Sequence, residues 1–105
     1  PEPDFVLADL TKYDGSRHPQ PKETLVVIEV SDATITYDRN TKLSLYAESG
    51  ILEVWIVNLI KNIVEVHQKP NIGVYQIVKI YKKGDILKSK TIPDLVIEVD
   101  KILAE

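Results

Sequence analysis

The sequence predicts a single α/β domain, and three observations carry that prediction. Short runs rich in Val and Ile have strand character, one proline-free stretch from Ile35 to Ser49 has helical character, and strand patterning resumes after Gly50. At 105 residues with 44% hydrophobic content, the chain can bury one core and fits one domain, residues 1–105.

Phe5 to Ala8 forms a short apolar run after Pro3, and Leu25 to Val30 forms a second; both read as strands, the second buried on both faces. Between them, Tyr13 to Lys22 carries Gly15, Pro19 and Pro21 with little apolar content, which predicts a mobile loop. The helix over 35–49 has Thr34 or Thr36 as its candidate cap and Gly50 as its stop. Val54 to Val57, Ile63 to Val66 and Val74 to Tyr81 then read as a meander, with turns at Asn58 to Asn62 and Pro70 to Gly73. Lys83-Gly84-Asp85 marks a further turn. Leu95 to Val99 leads into a short terminal helix that Asp100 is placed to cap.

Composition excludes several function classes. There is no cysteine, so disulfides, thiolate zinc sites and cysteine nucleophiles are ruled out, and a reducing cytoplasm suits the chain. No apolar run approaches the roughly 20 residues of a membrane-spanning helix, and the start has neither the basic nor the apolar region of a signal peptide. The first residue is not methionine and strand patterning begins almost at once, so the natural protein is expected to carry a preceding segment. A net charge of -3 argues against coating nucleic acid by general attraction. Locally, Lys79, Lys82, Lys83, Lys88 and Lys90 face one acid, Asp85; a solvated hairpin is the expectation, a phosphate-tracking patch the alternative.

The most informative residue is Glu29, an acid inside Leu25-Val26-Val27-Ile28-Glu29-Val30. Strand alternation places it with Leu25, Val27 and Ser31, while Val26, Ile28 and Val30 occupy the other face. An unpaired carboxylate there would cost several kcal/mol, so it needs a cation partner or the wet end of its strand.

The helix supplies the partner. At about 100° per residue, Lys42 lies near Ile35, Asp38, Leu45, Tyr46 and Ser49, with Leu43 bounding the arc and Asn40, Thr41, Ser44 and Glu48 outward. A lysine on an inward arc must reach an anion or stretch toward water. The plain alternative is an exposed pair between Asp38 and Lys42, worth about 0.3 to 0.5 kcal/mol. Asp4 opens the first strand and would stand beside Glu29 if the two strands are neighbours. Two such acids repel unless they share a proton or a hard cation. Magnesium fits, because oxygens from Asp4, Glu29, the Val30 carbonyl, water and a phosphate would complete its octahedron. Lys42 would then orient water or neutralise charge on the phosphoryl oxygens.

Pro3-Asp4, Glu29-Val30-Ser31-Asp32, Tyr37-Asp38-Arg39 with Lys42 and Tyr46, and Gly50-Ile51 with Glu53-Val54-Trp55-Ile56-Val57 together resemble the Uma family of restriction endonucleases. That family lies within the PD-(D/E)xK nuclease-like superfamily. The resemblance spans nearly the whole chain. It implies a restriction-endonuclease-like open mixed sheet flanked by helices, a divalent metal (Mg²⁺ or Mn²⁺) and hydrolysis of DNA phosphodiester bonds. It also implies Asp4 and Glu29 as metal ligands and Lys42 as the catalytic lysine. Ser31 stands where the superfamily usually has its lysine, so that role passes to the helix. An N-terminal helical region that relatives possess is expected to be missing here.

The rival expectation is a non-catalytic interaction module on the same fold, dimerising through the exposed strand of the meander or the Trp55 region. Pro93-Asp94 with Glu98 imitates the first motif but reads as surface. His18 and His67 read as structural or solvated, and Trp55 as core or interface. A Ser31 nucleophile lacks any histidine to pair with.

Overall fold

A computed structural model describes residues 3–32 and 36–103, with the backbone alone at 36–38. Thr34, Ile35 and the side chains of Thr36 and Asp38 therefore lie outside the described residues. The elements are β1 (Phe5–Ala8), a 3-10 turn (Pro21–Glu23), β2 (Thr24–Ser31), α1 (Thr36–Glu48), β3 (Glu53–Asn58), β4 (Ile63–Asn71), β5 (Val74–Tyr81), β6 (Ile86–Lys88), β7 (Val96–Glu98) and α2 (Val99–Ile102).

Strands β1 to β5 form one mixed sheet in sequential order. Only β2 and β3 are parallel, because α1 carries the chain from the end of one back to the start of the other; the remaining pairs are antiparallel. This is the restriction-endonuclease-like α/β architecture that the sequence predicted.

The sheet is covered on both faces. On one, α1 lays Tyr46 and Ala47 against Val27, Val54, Ile56 and Tyr75. On the other, the two-stranded β6–β7 ribbon and α2 bury Leu87, Val99 and Leu103 against Val26, Trp55, Val57, Val64 and Val66. Central strand β3 is consequently buried at all six positions and cannot show the polar alternation of a one-sided strand. Trp55, 2% exposed, belongs to this core. Trp55 itself therefore offers almost no surface to a partner, and the exposed apolar side chains of that region are its neighbours Phe5, Val30 and Leu59.

Several local expectations hold for identifiable reasons. Gly50 ends α1 with a φ of 84°, and the N–H groups of Gly50 and Ile51 return to the carbonyls of Ala47 and Tyr46 at 3.1 Å each. The β4–β5 turn uses two left-handed residues, Ile72 and Gly73, at φ 52° and 72°. Two expectations are corrected. Glu98, not Asp100, occupies the cap position of α2, and the Asp100 carboxylate instead accepts the Gly84 N–H at 2.7 Å. The lysine-rich stretch is not one hairpin: β6 leaves β5 to pair with β7, while all five lysines remain exposed. The 9–20 loop is pinned by a fork in which Arg17 donates twice to Glu23, at 2.7 Å each. Among the described residues no helix is long and apolar enough to cross a membrane.

Candidate active site

At the carboxyl end of β2 the chain leaves the sheet for the α1 crossover, and there the predicted residues gather. Glu29 sits on the α1 face, opposite Ile56 of β3, and is only 6% exposed. Its carboxylate meets α1 through two side chains four residues apart, and hence on one side of the helix. Lys42 Nζ lies 3.6 Å from Oε1. The Tyr46 hydroxyl donates to Oε2. The predicted cation partner is thus present, and a phenol is added to it.

Asp4 precedes β1, whose Phe5 pairs with Ile28, so continuation of the register sets Asp4 opposite Glu29. Its Oδ2 accepts the Val30 N–H at 2.7 Å, extending the ladder by one side-chain bond. Burial pushes the Tyr46 phenol well above its ordinary range, reinforced by the hydrogen bond and charge of Glu29 and then by the charge of Asp4. The cross-strand register thus sets Asp4 beside the Glu29–Tyr46 pair.

The helix phase needs correction. Leu45, assigned to the inward arc, is 41% exposed, whereas Ala47 is 7% exposed. The buried arc is centred near Leu43, between Tyr46 and Ala47. Lys42 lies on its flank, its side chain 31% exposed and its ammonium beside Glu29. The residue nearer the centre of the arc is Arg39, which the sequence reading gave no role.

Arg39 opens a second polar cluster on the same face. Its Nη1 lies 2.9 Å from Glu65 Oε2, and His67 Nε2 lies 3.0 Å from Glu65 Oε1. Glu65 stands opposite Ile56, so Glu29, Ile56 and Glu65 form one cross-strand rank. The His67 hydrogen bond, followed by the Arg39 charge, holds the Glu65 carboxyl below the usual carboxylate range against the opposing effect of burial. His67 packs edge-to-face on Tyr75 at 6.1 Å, and Tyr75 donates to the Ile51 carbonyl at 2.6 Å. The sequence did carry a signal for Glu65. Ile63-Val64-Glu65-Val66 repeats the pattern of an acid inside an apolar strand that singled out Glu29. His67, expected at a strand's polar end, lies within β4 and is buried in this structural role.

The donor set can be compared with the metal it was expected to hold. Among the described residues no group of three or more His, Cys, Asp or Glu side chains is placed to hold an ion. Asp4 and Glu29 offer two carboxylates and no imidazole or thiolate. That composition fits magnesium or manganese, which retain several waters, and does not fit a structural zinc site. The imitating acids Asp94 and Glu98 are exposed, as is His18.

Residues 1–100 match the model of a family described as "Putative restriction endonuclease", Uma2. No curated protein matches the chain.

Proposed function

Because the chain belongs to the Uma2 family, we propose that it is a metal-dependent endonuclease that hydrolyses DNA phosphodiester bonds, with Asp4, Glu29 and Lys42 as its working groups. One observation carries the reading. A buried carboxylate on a central strand is met by a half-exposed lysine from the helix, beside a second, exposed carboxylate.

In this reading Asp4 and Glu29, with the Val30 carbonyl, hold Mg²⁺ or Mn²⁺. The ion, when bound, supplies Lewis-acid polarisation of the scissile phosphate and an acidified water. The chain's own groups do the rest. Tyr46 fixes the Glu29 carboxylate by one oxygen, leaving lone pairs on both oxygens for further partners. Lys42, on a partly exposed side chain, offsets negative charge on the phosphoryl oxygens or orients the attacking water. Ser31, where the superfamily usually has lysine, is neutral and too short for that role. A cytoplasmic setting accords with the cysteine-free sequence.

The test is cleavage of DNA in Mg²⁺ or Mn²⁺ by the protein and by Asp4→Ala, Glu29→Ala and Lys42→Ala. Each substitution is expected to lower turnover by about 100-fold or more. Equal cleavage by all four proteins would defeat the assignment.

A second reading, a non-catalytic module, is favoured by one feature: Glu29 is engaged by both Lys42 and Tyr46 of α1, contacts that serve to hold the helix on the sheet. Such a module would dimerise through β5, an edge strand that exposes Val74, Val78 and Ile80. Calorimetry separates the two. Absence of binding heat at millimolar Mg²⁺ and Mn²⁺, with the fold intact, selects the module.

A further inference from the structure

Helix α1 is attached to the sheet by apolar and by ionic contacts. Among its described side chains, the buried apolar contacts come from Leu43, Tyr46 and Ala47. Preceding them, Asn40 and Thr41 are exposed, and Arg39 reaches down to Glu65. The ion pair therefore ties the helix to β4 one turn before the apolar contact at Leu43. Lys42 lies between the two attachments, less than one turn (about 5.4 Å) beyond Arg39.

Glu65 is not a free-swinging acceptor. His67 holds its other oxygen, and His67 in turn rests on the ring of Tyr75. The Tyr75 hydroxyl donates to Ile51, immediately after the Gly50 stop of α1. The same run of side chains thus reaches the beginning of the described helix through Arg39 and its end through Ile51.

We propose that Arg39, Glu65 and His67 are positioning residues that set the height of α1 over β2, and so the placement of Lys42 against Glu29. The assignment of Lys42 to catalysis rests on the function proposed above, whereas the bracing of the helix does not. Among the described residues, the hydrogen bonds and ion pair of these three run to one another and not to Glu29. Their effect on the site passes through the helix backbone, and each should matter in proportion to how firmly it holds that backbone.

The experiment compares Arg39→Gln, Arg39→Lys and Glu65→Gln with the unaltered protein by three measurements. The first is amide hydrogen exchange at residues 40–43, the earliest positions of α1 whose N–H groups have intrahelical acceptors. The second is the rate of Lys42 acylation by a small amine-reactive ester, read by peptide mass against the exposed Lys88. The third is the partition of DNA cleavage between kcat and KM.

For Arg39→Gln and Glu65→Gln, exchange at 40–43 is expected to rise about tenfold while β3 amides keep their protection. Acylation of Lys42 changes with it while Lys88 does not, and kcat falls with KM little altered. Arg39→Lys, which keeps the charge, recovers most of each effect. Tyr75→Phe releases the other end, raising exchange near Ile51 rather than at 40–43. The proposal is overturned if exchange at 40–43 and Lys42 acylation keep their original rates. It is equally overturned if protection falls uniformly across β3, which would make the ion pair a contributor to global stability alone. Should the unaltered protein cleave no DNA, exchange and acylation still decide the bracing, and the failure belongs to the proposed activity.

Discussion

Tyr46 and Lys42 hold the same carboxylate, yet the geometry assigns them different kinds of work, and substitution should separate them. Tyr46→Phe removes one hydroxyl and keeps the ring, itself 7% exposed, packed among Val27, Val54 and Ile56. What is lost is a hydrogen bond to a charged acceptor in a buried setting, with Glu29 Oε2 left short of a donor. That loss is worth about 2 kcal/mol. Lys42→Met keeps the aliphatic stem and removes an ammonium 3.6 Å from Oε1, on a side chain 31% exposed. Solvent screening and the freed rotamers hold that loss to about 1 kcal/mol or less. Urea denaturation at pH 7 should therefore show Tyr46→Phe lowering stability roughly twice as far. Turnover should show the reverse order, with Lys42→Met the more damaging. A Tyr46→Phe/Glu29→Leu double-mutant cycle should return a coupling of about 1 kcal/mol or more, since each substitution removes the one shared bond. If Lys42→Met destabilises as much as Tyr46→Phe while sparing turnover, the lysine is a structural tie and the catalytic assignment fails.

Two further outcomes follow from polar groups away from the site. Glu23 is depressed from 4.5 to about 2, chiefly by the Arg17 hydrogen bonds and then by the Gln20 N–H. A depressed carboxyl contributes stability above its unfolded value and loses it as pH falls toward its folded value. The stability gap between the protein and Arg17→Gln should thus be full at pH 7 and close between about 4.5 and about 2, read from urea midpoints across that range. Glu53, fully buried, accepts from Ser89 Oγ, the N–H groups of Lys90 and Thr91, and Trp55 Nε1. Glu53→Gln turns an NH₂ group toward donors whichever way the amide is placed, so a loss of about 3 kcal/mol is expected, with a shift in Trp55 fluorescence. An unchanged urea midpoint would refute this account.

How far the sequence discloses the site depends on which contacts are local. Glu29 is legible because strand alternation is rigid: an acid inside Val27-Ile28-Glu29-Val30 has apolar neighbours whatever the tertiary fold, and its need for a partner follows from desolvation alone. The helix is legible in its existence and its Gly50 stop, because both depend on backbone preferences. Its rotation is not. The stretch 36–48 is sparsely apolar, so Leu45 and Leu43 compete for the inward arc on nearly equal terms. The choice of Leu43, Tyr46 and Ala47 is made by Val27, Val54, Ile56 and Tyr75, which meet only once β2, β3 and β5 are assembled. Asp4 depends likewise on a pairing 26 residues away, and Glu53 on the loop at Ser89 to Thr91.

The same distinction explains why Arg39 escaped notice. On a sparsely apolar helix an arginine reads as solvated surface unless an anion is known to lie beneath it, and Glu65 comes beneath it only through the antiparallel β3–β4 pairing. Yet Glu65 carried the local signature that exposed Glu29, an acid enclosed by β-branched residues in a strand. Two enclosed acids in one cross-strand rank need hydrogen-bond donors or cations from whatever covers that face. Lys42 and Arg39, three residues apart and about 5–6 Å from each other on the helix, reach acids about 9.5 Å apart because their side chains are long enough to diverge.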